Sequence, residues 1–201
     1  MGDMKGVRLA TDRLMVRDLP PRDAQRVARF HHENWHFHRQ WEPYRNGEYF
    51  TAQMQRRVLR LEARSDSKLH LWLLLREGRG TSRADLPIIG SLALSSIERG
   101  SLKSCQVGYK IDARYARRGY MTEALAAVIT HAFTTMDLHR MEATVMPRNR
   151  PSRALLEHLG FRDEGCARAL ILIQGVWEDH LRLAMLRDEW RGVGDKGDAR
   201  S

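Results

Sequence analysis

The sequence predicts a mixed α/β fold, because apolar residues recur with a period of two in some segments and with helical spacing in others. Along the chain these segments follow the order β, α, α, several β, α, β, α, β, β. The 201 residues are 42% hydrophobic, which suits one compact core, and the chain is too short for two ordinary domains. We therefore expect one domain over residues 1–190 and a disordered tail at 191–201.

The first predicted elements are a strand and two helices. Leu14, Val16 and Asp18 alternate with Met15 and Arg17, which suits a first strand. Helical spacing follows over Asp23–Phe30, after the break made by Pro20 and Pro21. A second helix is predicted over Thr51–Ala63.

Three strands are predicted next, on dense apolar runs. They are Leu69–Leu75, Ile88–Leu94 and Cys105–Ile111, and the polar segment Gly78–Pro87 forms the loop between the first two. The third strand runs into a basic turn, and apolar residues then recur at helical spacing from Met121 onwards. This arrangement of strand, basic turn and helix is typical of phosphate-binding sites.

The last part of the chain predicts a strand, a short helix and a hairpin. Met141–Val145 alternates as a strand, and the helix that follows opens at Pro151 and stops at Gly160. The segments Ala169–Ile173 and His180–Met185 form a closing hairpin around a glycine turn.

Charge and composition limit the functional classes. The net charge of +9 favours polyanionic partners such as phosphate-bearing cofactors, ribosomes or RNA. The chain starts without the apolar run of a signal peptide and contains no stretch long enough to span a membrane, so a cytoplasmic location is expected.

Cysteine and histidine usage argues against a metal site. The two cysteines, Cys105 and Cys166, are far apart in sequence and have no second ligand at metal spacing, so reduced thiols are expected. Four histidines do cluster in sequence, but no carboxylate or cysteine cluster accompanies them. These are His31, His32, His36 and His38.

Two segments carry the chemistry. The turn from Ala116 to Met121 would aim backbone N–H groups and the positive end of a helix at a bound anion such as a pyrophosphate, although an ordinary exposed turn fits this pattern equally well. The second segment places Asn149 and Ser152 at a helix entrance, with an apolar stripe behind them that ends in Gly160. Taken alone, it is consistent with helix capping.

With both segments present in this order, the chain resembles the GNAT acetyltransferases over nearly its whole length. Within that superfamily it is similar to the Rim-type ribosomal-protein alanine N-acetyltransferases. The segments that carry this resemblance are RLATDRLMVR, HFHRQWEP, YMTEAL, LHRMEATVMPRN, LGFRDEG and GVWEDH. It implies a twisted, mostly antiparallel central sheet flanked by helices. The implied reaction is direct transfer of acetyl from acetyl-CoA, in a ternary complex, to an N-terminal alanine α-amine of a small-subunit ribosomal protein.

The resemblance also implies a set of cofactor contacts. The family pattern Q/R-x-x-G-x-G/A falls on a six-residue loop in which Gly119 alone fits a signature position, while two arginines add positive charge for phosphates. Asn149 would bond the pantetheine arm, and the main chain from Tyr109 to Ile111 would pair with the amides of that arm like an added strand. The loop residues are Ala116, Arg117, Arg118, Gly119, Tyr120 and Met121.

Catalytic roles are implied for Glu98 and Ser152. Glu98 matches the position of a glutamate that collects the amine proton in many GNAT enzymes, but a solvated loop charge is an equal alternative. Ser152 would donate a hydrogen bond to the departing thiolate, since the tyrosine used as the acid in many relatives falls on Leu156. The alternative role of Ser152 is that of a first-turn helix residue.

The acceptor site and the partners leave more alternatives open. The acceptor peptide pocket is predicted to involve Trp35, Trp41, Glu42 and Trp177, although tryptophans in such a setting more often belong to a hydrophobic core. A basic helix face, consisting of Arg56, Arg57, Arg60 and Arg64, would either contact rRNA or simply face solvent. Two other functions stay open: a GNAT-fold ribosome- or RNA-binding factor with weakened catalysis, and an acetyltransferase for small-molecule amines.

Overall fold

The computed structural model describes residues 6–76 and 86–192, and within these ranges eight strands form one sheet. The strand order is β1-β2-β3-β4-β5-β6-β8-β7, and neighbours are antiparallel except for the parallel pair β5–β6. The predicted mixed α/β fold with a closing hairpin is confirmed. The strands are β1 Arg8–Ala10, β2 Leu14–Arg17, β3 Leu69–Leu75, β4 Ile88–Glu98, β5 Ser104–Ile111, β6 Arg140–Val145, β7 Arg162–Ile173 and β8 Val176–Leu186.

Four α-helices flank the sheet in the described part of the chain. They are α1 Ala24–His38, α2 Ala52–Glu62, α3 Tyr120–Thr134 and α4 Arg150–His158. Thr51 caps α2 by accepting a hydrogen bond from the Met54 N–H, and Gly160, with φ +95°, follows the end of α4 in the left-handed conformation. The predicted helix stop at Gly160 is therefore confirmed.

Helix α1 is much longer than the predicted Asp23–Phe30. Its second half places His31, Asn34 and His38 on the buried face at helical spacing, each at most 6% exposed. Because these side chains are polar, the apolar period stops although the buried face continues. The Asn34 Nδ2 group donates to the Phe30 carbonyl at 3.0 Å, so this buried amide has a partner within the helix.

The two sides of the sheet carry different helices. Alternate residues of β3 separate the two cores: Leu71 and Leu73 belong to the cluster that includes the apolar face of α3, whereas Trp72 and Leu74 belong to the cluster with Phe30 of α1. Leu59 of α2 joins the second cluster. Helices α1 and α2 therefore cover one face, and α3 and α4 cover the other.

Two strands differ from the predictions for identifiable reasons. Strand β1 was missed because three residues are too few to show alternation, and it is held by pairing with β2. The β7–β8 hairpin is longer than predicted. Much of β7 is exposed on both faces and its pairing is irregular, so its sequence shows no regular alternation of apolar and polar residues. Most of the predicted loop Gly78–Pro87 and most of the predicted tail 191–201 lie outside the described residues.

Candidate active site

The sheet opens between β5 and β6. Their parallel pairing covers only Ser104–Gln106 against Arg140–Glu142. Beyond that point β5 continues to Ile111, paired with β4 on its other side, while β6 continues to pair with β8. One edge of β5 therefore lacks a strand partner in the described structure, and it faces a wedge between the two strands.

The hydrogen-bond alternation of β5 decides which backbone groups face this wedge. The Asp112 N–H bonds the Ile89 carbonyl at 2.8 Å, so Asp112 points towards β4. In an antiparallel ladder the alternate residues point the other way, so the N–H and C=O groups of Tyr109 and Ile111 face the wedge. The Ile111 carbonyl is already bonded by His38 Nε2 at 2.7 Å, which leaves Tyr109 as the better placed of the two predicted main-chain contacts.

The predicted anion-binding turn lies at the wide end of the wedge. Asp112 begins it by accepting a hydrogen bond from the Arg114 N–H at 2.8 Å. Arg117 and Gly119 adopt left-handed conformations with φ of 59° and 79°, and Gly119 starts α3 without a side-chain cap. The residue that precedes α3 therefore supplies no side-chain cap, and an anion bound at this turn would lie at the positive end of the helix.

The six loop residues differ in exposure, and Ala116 at the start of the loop is half-buried. Arg117, Arg118 and Gly119 are exposed, whereas the side chains of Tyr120 and Met121 are buried in the core, at 6% and 8% exposure. Tyr120 and Met121 can offer only backbone groups to a ligand, so the Met in place of the family's small residue points away from the phosphate position.

A pair of hydroxyl groups links the two sides of the wedge. Tyr109 Oη lies 2.8 Å from Ser152 Oγ and 3.2 Å from the Ser152 carbonyl oxygen, so its single hydroxyl hydrogen can be donated to either of these two acceptors. Burial raises the pKa of Tyr109 to about 12, so this phenol stays protonated at neutral pH. Leu156, the residue predicted to replace the tyrosine that acts as the acid in many relatives, is 1% exposed in the core. The sequence interpretation did not identify the contact between Tyr109 and Ser152, because it considered only the main chain of Tyr109.

Asn149 and Ser152 sit together at the start of α4. The Asn149 Oδ1 atom accepts a hydrogen bond from the Ser152 N–H at 3.3 Å, so the predicted capping role exists. The cap uses the carbonyl oxygen of the side chain and leaves its Nδ2 group as the part suited to bond a ligand amide.

Arg148 brings two of the predicted acceptor tryptophans to one rim. Its guanidinium lies 5.0 Å from the ring centroid of Trp41 and bonds Glu178 Oε1 at 2.7 Å. Trp177, next to Glu178, is 62% exposed and lines an open pocket of about 330 Å³ together with Arg148 and Pro147. Arg148 was not singled out from the sequence, since one arginine in a chain rich in arginine gives no signal.

Glu42 belongs to the same rim. Its Oε1 atom accepts a hydrogen bond from Lys110 Nζ at 2.6 Å, and its carbonyl accepts one from Gln174 Nε2 at 3.0 Å. Lys110 adjoins Tyr109 in β5, so Glu42 reaches the wedge from the α1 face. Trp35 is placed apart from this rim, with its ring edge-on to Phe50 at 5.3 Å, as a packing residue would be.

Glu98 lies at the opposite end of β4 from the wedge. It pairs with Ser104, whereas Leu92 pairs with Tyr109. The five residue steps from Ser104 to Tyr109 on β5 correspond to about 17 Å along the strand. Glu98 is exposed, and the register does not bring it together with Ser152.

The clustered histidines are a structural feature of α1. His31 and His38 are buried, while His32 and His36 are exposed. Burial lowers the pKa of His31 to about 2, so its ring is neutral, and its Nε2 atom lies within hydrogen-bonding distance of the Tyr49 hydroxyl at 3.4 Å. In residues 6–76 and 86–192, no group of His, Cys, Asp and Glu side chains is arranged to hold a metal ion.

Residues 13–162 match the sequence model of a family described as the acetyltransferase (GNAT) domain. The chain belongs to the GNAT acetyltransferase family. It is 36% identical over 187 residues to the ribosomal protein uS5-alanine N-acetyltransferase of Escherichia coli strain K12, covering 92% of this chain and 93% of the relative. The predicted family and the predicted enzyme class, an N-acetyltransferase, are confirmed.

Two solved GNAT structures are similar over nearly the full chain. The ribosomal-protein-S5-alanine acetyltransferase of Vibrio fischeri has a TM-score of 0.81 and 30% identity, covering 92% of this chain and 99% of that one. RimJ of Mycobacterium smegmatis, in complex with CoA-disulfide, has a TM-score of 0.83 and 30% identity, covering 94% and 91% respectively. Both similarities confirm the GNAT fold.

The GNAT cofactor fits the residues present. The unpaired edge of β5 suits the amide-bearing pantetheine arm, and the uncapped start of α3 with two exposed arginines suits the pyrophosphate. The basic residues predicted to face rRNA or solvent are exposed on α2 and beyond its end. No helix within the described ranges has the length and apolar character needed to cross a membrane.

Replacing Gly119 tests the assignment of the anion site. Gly119→Asp places a negative charge beside the bound phosphates, whereas Gly119→Asn adds a side chain of the same size without charge, and both residues tolerate the left-handed backbone. We expect Gly119→Asp to bind acetyl-CoA at least about tenfold more weakly than Gly119→Asn, measured by titration calorimetry. Equal affinities of the two variants would show that the phosphates bind elsewhere.

Proposed function

We propose that this enzyme transfers an acetyl group from acetyl-CoA to the N-terminal α-amine, with alanine as the preferred residue, of a ribosomal protein. The observation that carries the proposal is the Tyr109–Ser152 hydroxyl pair at the unpaired edge of β5, with an aromatic and charged rim on the opposite face of the sheet. The similarity to ribosomal-protein alanine acetyltransferases supports the choice of acceptor.

In this proposal, acetyl-CoA lies along the wedge with its pyrophosphate at the turn before α3. Arg117 and Arg118 supply positive charge, and the N–H groups from Gly119 onwards donate hydrogen bonds to phosphate oxygens. Asn149 Nδ2 and the main chain of Tyr109 bond the pantetheine amides, which brings the thioester to Ser152.

Direct attack by the amine fits the placement of the thiols. Cys105 is buried at the closed end of the β5–β6 pair, where burial raises its pKa to about 12 and suppresses its nucleophilicity. Cys166 is exposed on the edge strand β7. The amine nitrogen therefore forms its bond with the acetyl carbon as the carbon–sulfur bond breaks, in one ternary complex.

Ser152 stabilises the leaving thiolate in this scheme. When Tyr109 donates its hydroxyl proton to Ser152 Oγ, the Ser152 hydroxyl hydrogen is free to point at the sulfur. The raised pKa of Tyr109 keeps that proton in place across the neutral range. Ser152 would then donate to the thiolate, and Tyr109 is the residue that sets its orientation.

The acceptor approaches from the α1 face. Trp41, Arg148 and Trp177 form the walls for the first residues of the peptide, and Glu42 attracts the ammonium group and receives its proton through water. We assign this carboxylate role to Glu42 rather than Glu98, because Glu42 is bonded to Lys110 beside the wedge and Glu98 lies at the far end of β4.

A pair of peptides tests the acceptor class. An α-amine has a pKa of about 8 against about 10.4 for lysine, so roughly a tenth of the α-amine is already the free nucleophile at neutral pH. A peptide with a free N-terminal alanine and no lysine should react faster than a peptide with a blocked N-terminus and one lysine. The initial rates of acetylation of the two peptides are measured by mass spectrometry. Equal or faster lysine acetylation would refute the α-amine assignment.

Ser152→Ala and Tyr109→Phe test the hydroxyl pair. Loss of the hydrogen bond to the developing thiolate should lower kcat about ten- to a hundredfold in Ser152→Ala, while the Kd of acetyl-CoA changes little. Tyr109→Phe should lower kcat by a smaller factor, because Ser152 remains but is no longer oriented. A variant that loses thermal stability yet keeps its kcat would show that the pair is only structural.

Glu42→Gln and Glu98→Gln form a matched comparison of the two predicted carboxylates. In Glu42→Gln, kcat/KM for the alanine peptide should fall most near pH 7, where most of the amine is protonated, and should recover towards pH 9. Glu98→Gln should keep wild-type activity at both pH values. The opposite ranking of the two variants would return the base role to Glu98.

A further inference from the structure

The turn between β1 and β2, residues 11–13, is bonded to the start of α3. Glu123, in the first turn of α3, accepts hydrogen bonds from Thr11 Oγ1 at 2.5 Å, from the Arg13 N–H at 2.9 Å and from Arg13 Nε at 2.7 Å. These bonds outweigh the burial of the carboxyl group and hold the pKa of Glu123 below its usual value, so the group is ionised. The ion pair is partly shielded, because the Glu123 side chain is 18% exposed.

Arg13 also reaches the turn itself. Its Nη1 atom donates to the Arg118 carbonyl at 3.0 Å, and its guanidinium lies 4.3 Å from the ring centroid of Tyr120. The guanidinium of Arg13 therefore contacts a carboxylate of α3, an aromatic ring and a loop carbonyl at the same time. The planar set of donors of an arginine can satisfy this geometry, whereas the ammonium group of a lysine cannot.

The hydrogen bond from Arg13 to the Arg118 carbonyl fixes the orientation of the peptide unit between Arg118 and Gly119. The peptide unit between Arg118 and Gly119 is trans, since the described chain has no cis peptide bonds, and in a trans peptide the C=O and N–H groups point in opposite directions. The Arg118 carbonyl is directed at Arg13. The Gly119 N–H group is therefore directed away from Arg13, on the side of the turn that faces away from the protein. That is the side on which a phosphate would lie in the proposed function.

The turn needs an external constraint of this kind. Arg117 holds a left-handed conformation without being glycine, and Ala116 and Met121 replace residues that the family pattern would supply. A loop that is not fixed by its own sequence must be ordered when the ligand binds, at a cost in affinity.

We infer that Arg13, held by Thr11 and Glu123, is a positioning residue that orients the Gly119 N–H towards the pyrophosphate of acetyl-CoA. This inference rests on the proposed function, because it requires acetyl-CoA at the turn. Arg13 acts through the loop and does not touch the reacting atoms.

Binding measurements with two donors test the inference. Acetyl-CoA carries the pyrophosphate and acetyl-pantetheine lacks it, so only acetyl-CoA depends on the orientation of the turn. In calorimetric titrations, Arg13→Gln and Glu123→Gln should raise the Kd of acetyl-CoA about tenfold or more and leave that of acetyl-pantetheine unchanged. Arg8→Gln, an exposed residue on β1 of the same hairpin, is the matched control and should bind both donors as the wild type does.

Arg13→Lys separates orientation from charge. Lysine keeps the positive charge near the phosphates but cannot bond Glu123 and the Arg118 carbonyl together, so its acetyl-CoA affinity should stay reduced. Wild-type affinity in Arg13→Lys or Arg13→Gln would overturn the inference while the proposed function stands. Equal weakening of both donors would also overturn it, as a general structural effect. If the wild type binds acetyl-pantetheine but gains nothing from the pyrophosphate, both the inference and the proposed cofactor site fail.

Discussion

The separation of β5 from β6 after Gln106 is the constraint on which the rest of the site depends. Backbone N–H and C=O groups in a protein interior need hydrogen-bond partners, and a strand with an unpaired edge inside a sheet is therefore a place for a ligand. Here the edge belongs to the only parallel pair in the described sheet, and both neighbours remain paired on their outer sides. The sheet thus stays rigid on either side of the wedge.

The elements that flank the wedge are held by interactions from distant parts of the chain. Tyr109 ties β5 to the start of α4 through Ser152, and Arg13 ties the β1–β2 turn to the loop before α3. His38 of α1 bonds the last carbonyl of β5. Each contact joins residues far apart in sequence, so the shape of the wedge is a property of the assembled sheet and not of any one motif.

Adjacent residues of β5 connect the two faces of the sheet. The side chain of Tyr109 contacts α4 on one face, and that of Lys110 contacts Glu42 on the face covered by α1. This alternation is the ordinary geometry of a strand. In the proposed reaction it lets the cofactor and the acceptor meet across a single strand from opposite faces, so the two substrates need not share an entrance.

The sequence by itself determined the order of strands and helices, the two functional segments and the family. These features depend only on residues that are close together in the sequence. It also placed Asn149 and Ser152 correctly at the start of α4. Only the tertiary structure decided that Glu98 stands about 17 Å along the strand from Tyr109, that Trp35 packs on Phe50, and that Arg148 joins Trp41 to Glu178. The physical reason is that register and pairing between distant segments set these distances, and a polar residue such as His38 or Arg13 gives no local sign of the partner it finds in the folded chain.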